Sequence, residues 1–295
     1  MPFKSSKIEI YIGKGGVGKS SISSLRAVSL SKMSIKTHLV SFDPAHNIKD
    51  IFNLDKCGKN VRFSEFLEIT EYDIDDKLKN YINSIKEIMK KQFAFESFFG
   101  IDTYTDAVSF VPGMIEYGSL LGLFEILENT DSYDFIIIDM PPTALALRIL
   151  SSPRINLKWC DMLINLRKKI IEKKSLIVSI KDNIKNYKED LILQKLYNLR
   201  NKYIKLEKIL YSNKNCTVNL VSLSDMLSLK ESQRIINSLC GLKISFGNFY
   251  LNKANDKSKL FSFFKTNELQ FFKNVINIPF YEEFDVFKIS NSVNL

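Results

Sequence analysis

A glycine-rich stretch near the start of the chain has the composition of a phosphate-binding loop. Residues 13–20 read Gly-Lys-Gly-Gly-Val-Gly-Lys-Ser and match the pattern G-x-x-x-x-G-K-[ST] in full. Glycines allow the backbone to wrap tightly, so that its N–H groups face phosphate oxygens. We expect Lys19 to reach the β- and γ-phosphates of ATP and the Ser20 hydroxyl to ligate Mg²⁺. The predicted nucleotide-binding residues of this stretch are Gly13, Lys14, Gly15, Gly16, Val17, Gly18, Lys19, Ser20 and Ser21.

Lys14, directly after the first glycine, marks the deviant form of this loop, K-G-G-x-G-K-[ST]. One interpretation is a solvated loop charge. The position in the loop favours another, in which Lys14 points across a dimer interface to the partner's nucleotide. A cation supplied in this way stabilises the transferring phosphoryl group. We therefore expect a homodimer in which Lys14 and Lys19 both serve catalysis.

Two acidic residues follow apolar strands and could complete a hydrolytic site. Hydrolysis needs a Mg²⁺ ligand and a group that orients the attacking water. Asp139 ends an apolar run and is predicted to hold Mg²⁺ together with Ser20. Asp43 either orients water or begins a turn with Pro44, and the residue pattern alone leaves both interpretations open.

The elements that must position these residues alternate between strand and helix. Residues 8–13 predict a strand that enters the loop, and residues 20–33 predict a helix that leaves it. Residues 134–139 are almost wholly apolar, which is typical of a central strand in a parallel sheet. This alternation predicts an α/β, P-loop NTPase fold with a doubly wound, mainly parallel sheet. The other predicted strands are 37–42, 218–223, 244–251 and 274–278.

Two stretches depart from the alternation and predict an inserted helical subdomain. Residues 75–99 read as one long amphipathic helix, and residues 155–210 as two or three long helices. The nucleotide-binding domain is assigned to residues 1–60, 103–154 and 215–295. The helical insertions, forming a client or effector subdomain, are assigned to residues 61–102 and 155–214.

The composition predicts a globular protein that stays in the cytoplasm. Hydrophobic residues make up 45% of the chain, yet no segment reaches the roughly 18 apolar residues of a membrane span. The N-terminus leads directly into a strand, which leaves no room for a signal peptide. The four cysteines are far apart and form no C-x-x-C pair, so we expect reduced thiols and no zinc site.

The positive charge is concentrated in one segment. The chain carries a net charge of +9, and residues 151–215 alone hold 16 Lys and Arg against 6 Asp and Glu. Such a segment is either a solvated helical surface or a surface for an anionic partner. Both interpretations stay open, and no specific nucleic-acid partner is expected.

Five segments, in this order along nearly the whole chain, resemble the ArsA-type ATPases. That group includes the bacterial arsenite-pump ATPase and the ATPase that delivers tail-anchored membrane proteins. The segments are Lys14–Ser20; Asp43-Pro44-Ala45-His46-Asn47 with Asp50 and Phe52; Val111–Glu116; Asp139-Met140-Pro141-Pro142-Thr143 with Leu147-Arg148; and Asp225–Glu231.

The resemblance implies roles for residues around the phosphates. Asp43 would be the catalytic acid that positions water in switch I, and Asn47 would line the same site. Asp139 and Thr143 would belong to switch II. ATP and Mg²⁺ are therefore the implied ligands.

The resemblance also implies roles on the other side of the nucleotide. Asn252 matches the family's adenine-contacting asparagine, whose amide can pair with both a donor and an acceptor of the base. Asp225 matches an acidic nucleotide-contacting position. The residues after Pro279 match a loop that covers adenine.

Two departures from the family pattern bear on function. Ala144 and Leu145 stand where the family has Gly-His in switch II, and that histidine links the nucleotide site to the metalloid site of arsenite enzymes. No clustered cysteines match the metalloid ligands, and the zinc C-x-x-C pair of the eukaryotic tail-anchor ATPases is absent from the sequence.

The preferred hypothesis is an ATP-gated, dimeric carrier of apolar segments of tail-anchored membrane proteins. ATP binding would close the dimer and shape an apolar groove, and hydrolysis would open it. For any single candidate groove residue, packing against the ATPase core is the other interpretation. The candidates are Phe93, Phe95, Phe98, Phe99, Trp159, Met162, Leu163 and Leu166.

Two other functions remain open at this point. One is the ATPase subunit of an arsenite or oxyanion efflux pump, which works with a membrane partner. The other is a positioning ATPase of the ParA/MinD kind, which shares the deviant loop. Residues 43–47 do not match the switch I pattern of that kind.

Overall fold

The computed structural model describes most of the chain. The described residues are 6–45, 47–54, 60–92, 113–128, 130–181, 190–211, 215–254, 256–264 and 266–293, and of 85–92, 174–181 and 266–267 only the backbone is described. Several residues singled out from the sequence lie outside the described residues. They are His46, Cys57, Phe93, Phe95, Phe98, Phe99, Val111 and Pro112.

The described residues build a sheet of eight strands in the order β3-β4-β2-β5-β1-β6-β7-β8. All neighbouring strands are parallel, except that β3 is antiparallel to β4. The strands are β1 Lys7–Ile12, β2 Thr37–Ser41, β3 Val61–Arg62, β4 Leu67–Glu71, β5 Phe135–Asp139, β6 Cys216–Ser222, β7 Phe246–Asn252 and β8 Val275–Ile278.

Helices connect these strands. Within the described residues, no helix is long and apolar enough to cross a membrane. The helices are α1 Lys19–Lys32, α2 Asn47–Phe52, α3 Ile74–Gln92, α4 Met114–Glu128, α5 Thr143–Lys181, α6 Leu191–Leu210, α7 Met226–Leu242, α8 Ser258–Phe263, α9 Thr266–Leu269 and α10 Val286–Ile289, with a 3₁₀ turn at Thr130–Ser132.

The central strand β5 is almost wholly apolar because both faces of the sheet are covered. All five residues of β2 are buried, and so are the last four of β5. A strand with two covered faces gains by burying side chains on both of them, so its sequence loses the usual polar alternation. This is the reason that residues 134–139 could be assigned to the sheet centre from sequence. The prediction of a doubly wound, mainly parallel α/β fold is confirmed.

The predicted division into domains differs from the structure in one place. Residues 61–102 were assigned to a helical insertion, yet β3 and β4 lie in this range and extend the main sheet beside β2. In β4 the buried Leu67 and Ile69 alternate with Glu68 and Thr70 over only five residues, a pattern too short to stand out.

The fold contains two compact units. The first comprises Met1–Ile149 and Tyr211–Leu295 and holds the whole sheet. The second, Leu150–Leu210, is helical and close to the predicted 155–214 insertion. In it, the ion pairs Arg154–Glu207 and Arg200–Asp161 join α5 and α6, and Arg167 of α5 pairs with Asp190, which directly precedes α6.

Candidate active site

The glycine-rich loop runs from the carboxyl end of β1 to the first turn of α1, as predicted. Gly18 directly precedes α1 with a φ of 92°, a left-handed conformation that favours glycine. At Gly13, a Cβ atom would lie 2.2 Å from the carbonyl oxygen of Val221, so only glycine fits against β6. Two of the glycines in the motif are thus required by the geometry of the loop itself.

The hydroxyl of Ser20 meets the carboxylate of Asp139 beside this loop. Ser20 lies in the first turn of α1 and Asp139 is the last residue of the neighbouring strand β5. The Ser20 hydroxyl donates to Oδ2 of Asp139 at 2.6 Å, and the Ser41 hydroxyl donates to the same oxygen at 3.3 Å. Asp139 is fully buried, and its Oδ1 has no hydrogen-bond partner among the described residues.

Burial makes the carboxylate of Asp139 costly to ionise. Removal from water raises its pKa to about 7, against the smaller, opposite effects of the Ser20 hydrogen bond and the Lys19 charge. A divalent cation would supply the missing compensation and occupy the unpartnered Oδ1. Hydroxyl and carboxylate oxygens are also the ligands that Mg²⁺ prefers. Ser20 and Asp139 therefore fit the Mg²⁺ site predicted from the sequence.

Lys19 and Asp43 face each other across the mouth of the loop. The Lys19 ammonium is 3.4 Å from the carbonyl oxygen of Lys14 and 4.0 Å from Oδ2 of Asp43, and both side chains are buried. Asp43 is fixed by the backbone N–H of Ala45, which donates to its Oδ1 at 3.1 Å. Asp43 therefore begins a turn and also presents its second oxygen to the loop, so the two interpretations of this residue are compatible.

Ser41 is a site residue that the sequence analysis missed. Its hydroxyl donates to Asp139 and accepts the backbone N–H of Asp43 at 3.2 Å, so it connects the two acidic residues. Ser41 ends β2, and β2 pairs with β5 in a register that places Ser41 opposite Asp139. A serine between the apolar residues Val40 and Phe42, two positions before Asp43, was the available signal, but its partner depends on strand pairing.

A cavity of about 550 Å³ opens beside the loop at the carboxyl ends of the strands, where ligands of parallel α/β sheets bind. Its volume lies within the range of small-ligand sites. The cavity brings together predicted contacts from the loop, α2 and β7 with the segment after β8. The lining residues include Gly18, Lys19, Ser20, Ser21, Asp43, Asn47 and Asn252, and the C-terminal segment contributes Pro279, Phe280, Tyr281 and Phe284.

Several predicted residues lie outside the lining of this cavity, among them Asp225, Lys14 and Thr143. Asp225 caps α7, where its Oδ1 accepts the N–H of Ser228 at 2.9 Å. The Ser228 side chain is the main reason that the pKa of Asp225 is lowered, and the bond to the Ser228 N–H adds to this effect. The nearby charge of Lys14, which is half-buried, lowers it further. Thr143 begins α5, and its buried hydroxyl has no partner in the described part of the chain.

Two of the resembling segments meet through an ion pair. The Arg148 guanidinium donates to a carboxylate oxygen of Glu116 at 3.1 Å. Arg148 follows Thr143 along α5, and Glu116 lies in the first turn of α4. Glu116 and Arg148, one from each of these segments, are thus in direct contact.

Comparison with known proteins gives consistent matches. The family model described as anion-transporting ATPase matches residues 7–291. A protein of Prosthecochloris vibrioformis whose name describes an arsenical pump-driving ATPase is 32% identical over 81% of this chain and 59% of its own length. A similarly named protein of Aquifex aeolicus is 27% identical over 92% of this chain and 89% of its own. An ATPase ASNA1 homolog of Paramecium tetraurelia is 26% identical over 93% and 84%. This chain thus spans less than two thirds of the first relative and most of the other two.

Proposed function

The chain belongs to the anion-transporting ATPase family, and from that premise we propose that it hydrolyses Mg-ATP in the cavity beside Gly13–Ser20. One observation carries the proposal: the pairs Ser20–Asp139 and Lys19–Asp43 converge at the carboxyl ends of adjacent strands. A hydroxyl and a carboxylate for Mg²⁺, a cation for phosphate and a second carboxylate for water are the groups that phosphoryl transfer to water requires.

The proposed mechanism assigns one task to each group. The loop N–H groups and Lys19 bind the phosphates. Ser20 and Asp139 would hold Mg²⁺, which when bound neutralises charge on the phosphate oxygens. Asp43 accepts a hydrogen bond from the attacking water through Oδ2, because its Oδ1 is already held by Ala45. Ser41 positions both acidic residues, so that the water and the metal ligands keep a fixed separation.

Lys14 acts in trans in this proposal, across a homodimer. Its half-buried position beside Asp225 is compatible with an ammonium that is held near the surface of the loop. We expect Lys14→Ala to lower kcat by about a hundredfold with little change in ATP affinity, the effect typical of removing one group that stabilises charge in the transition state. Steady-state kinetics and ATP titration measure the two effects. An ATP-bound wild-type protein that stays monomeric in analytical ultracentrifugation would contradict the trans role.

The proposed client is an apolar segment of a tail-anchored membrane protein. The supporting observation is a stripe of exposed apolar side chains on α5 that recurs at helical spacing, so that it occupies about 100° of the helix surface. Each is between 39% and 56% exposed, whereas Cys160 and Ile164 on the other side of α5 are buried. The members of this α5 stripe are Ile155, Trp159, Met162, Leu163 and Leu166.

Four of the predicted groove residues belong to the α5 stripe, so they do not pack in the described core. Exposed apolar patches of this kind are typical of interaction sites. The names of the relatives include ATPase ASNA1 homologs, one of which covers the length of this chain well. The stripe is thus a candidate surface on which an apolar client helix would bury its side chains.

Charge introduced into the α5 stripe tests this assignment. We expect Met162→Asp with Leu166→Asp to abolish ATP-dependent co-purification of a peptide with a tail-anchor-like apolar segment, because the carboxylates would be buried unpaired. The basal ATPase rate should stay within about twofold of wild type, since exposed substitutions cost little stability. Phe261→Asp on α8, also exposed, is the matched control. Undiminished capture by the double variant would remove the stripe from client binding.

An efflux-pump subunit is the second candidate, because the first relatives are named as arsenical pump-driving ATPases. Arsenite or antimonite added to the ATPase assay separates the two functions. Stimulation by metalloid with no peptide capture would favour the pump. The pump function is disfavoured by Leu145, which stands where the family has its switch II histidine. The described cysteines Cys160, Cys216 and Cys240 also lie on three different elements.

A further inference from the structure

The side chain of Asn252 lies against the phosphate loop. Asn252 is the last residue of β7 and is buried. Its Nδ2 donates to the carbonyl oxygen of Val17 at 2.8 Å, a bond between residues that are 235 positions apart. At the next loop residue, a Cβ on Gly18 would lie 2.3 Å from the same nitrogen. The amide therefore fills the space beside the Val17–Gly18 peptide.

The orientation of this amide is set by a second hydrogen bond. The backbone N–H of Lys253 donates to Oδ1 of Asn252 at 2.9 Å. Lys253 has a φ of 53°, so the chain turns sharply there and directs its N–H back to the side chain. With Oδ1 accepting from Lys253, the nitrogen must face Val17. The reverse orientation would place two acceptors together and two donors together.

Fixing the Val17 carbonyl also fixes the N–H of Gly18. A trans peptide is planar, and its C=O and N–H point in opposite directions. The Val17 carbonyl points to Asn252, so the Gly18 N–H must point away from β7. Gly18 directly precedes α1, and unpaired N–H groups at this position are the ones that bind phosphate in a glycine-rich loop.

We propose that Asn252 is a positioning residue for the phosphate loop, which holds the Val17–Gly18 peptide so that the Gly18 N–H donates to a phosphate of the nucleotide. This role rests on the proposed ATP site. It differs from the adenine contact that the family resemblance implies, because it acts on phosphate whether or not a base is attached. One hydrogen atom of Nδ2 and one lone pair of Oδ1 stay available for a base, so both roles can coexist.

A ligand with phosphates and no base tests the proposal. The probe is inorganic tripolyphosphate with Mg²⁺, and its dissociation constant is measured by calorimetry beside that of ATP. Asn252→Leu keeps the shape of the side chain and is uncharged but cannot donate to Val17, and Asn252→Ala removes the amide altogether. Asn248→Ala is the control, because Asn248 lies on the same strand and bonds Tyr250 and Asn274 away from the loop.

Both Asn252 variants are expected to bind tripolyphosphate about tenfold more weakly than wild type, the effect of losing one buried hydrogen bond. ATP should weaken at least as much, and Asn248→Ala should bind both ligands normally. Unchanged tripolyphosphate binding in the Asn252 variants, with weakened ATP, would overturn the positioning role and leave only a base contact. Failure of the wild-type protein to bind ATP would instead overturn the proposed function.

Discussion

Replacing Asp43 by asparagine is expected to lower the rate of ATP hydrolysis by at least about a hundredfold, because an amide is a poor acceptor for the proton and charge of the attacking water. Oδ1 of Asp43 would still accept the N–H of Ala45, and its place beside Ser41 would be kept. The ATP dissociation constant should therefore stay within about threefold of wild type. Single-turnover hydrolysis and equilibrium binding of ATP measure the two quantities separately.

The separation of rate from binding is what distinguishes a catalytic role from a structural one. Asp43 is buried and faces Lys19 at 4.0 Å, so a purely structural role would predict weaker ATP binding and a lower unfolding temperature together. Asp131→Asn, in the exposed 3₁₀ turn, controls for the loss of one negative charge. Equal turnover in the Asp43 variant and the control would remove Asp43 from the catalytic step.

The sequence predicts the parts of this site that depend on local chemistry. The glycines of the loop predict its conformation directly, since Gly13 and Gly18 stand where a larger residue would be strained or would clash. The apolar run that ends at Asp139 predicts a central strand, because a strand covered on both faces of the sheet shows no alternation of polar and apolar residues. Both features are set within about ten residues of chain, which pattern analysis covers well.

The parts that depend on pairing between distant segments were not predictable. Ser41 connects Asp43 and Asp139 only because β2 and β5 are neighbours in register. The bond from Asn252 to Val17 likewise requires that β7 end beside the loop. The strand β4 was missed for a related reason, since five alternating residues gain their stability from pairing with β2 and β3. The local patterns that pattern analysis uses do not show which strands pair.

The role of the basic segment, residues 151–215, also could not be predicted from its charge alone. Three of its arginines are engaged in ion pairs that link α5 to α6 or to the residue directly before it, so part of the excess serves to join two helices. Exposed lysines such as Lys158 and Lys169 remain at the surface of the helical unit. The interpretation as a solvated helical surface therefore accounts for part of the segment, and an anionic partner stays a prediction.

Asp139→Asn is expected to lower the apparent affinity for Mg²⁺ in ATP binding by about a hundredfold. The wild-type carboxylate is fully buried, with Oδ2 bonded to Ser20 and Oδ1 unpartnered among the described residues. Asparagine keeps the shape but supplies no charge, so the buried site would lose the carboxylate that balances the charge of the cation. Mg²⁺ titrations of ATP binding, followed by fluorescence of a labelled nucleotide, measure the change.

The pH dependence of the same titration follows from the raised pKa of Asp139. Because that pKa is about 7, the side chain is protonated at lower pH and Mg²⁺ must displace a proton to bind. The apparent Mg²⁺ affinity should fall about tenfold for each pH unit below 7 and level off above it.

The stability of the metal-free protein should change with pH in the opposite direction. A carboxyl group with a raised folded-state pKa stabilises the folded protein at low pH, and this contribution to the free energy of unfolding is lost as pH rises from about 4 to about 7. Added Mg²⁺ should therefore raise the unfolding temperature more at pH 8 than at pH 6. Asp139→Asn should abolish that difference, whereas its persistence in the variant would assign the titration to another group.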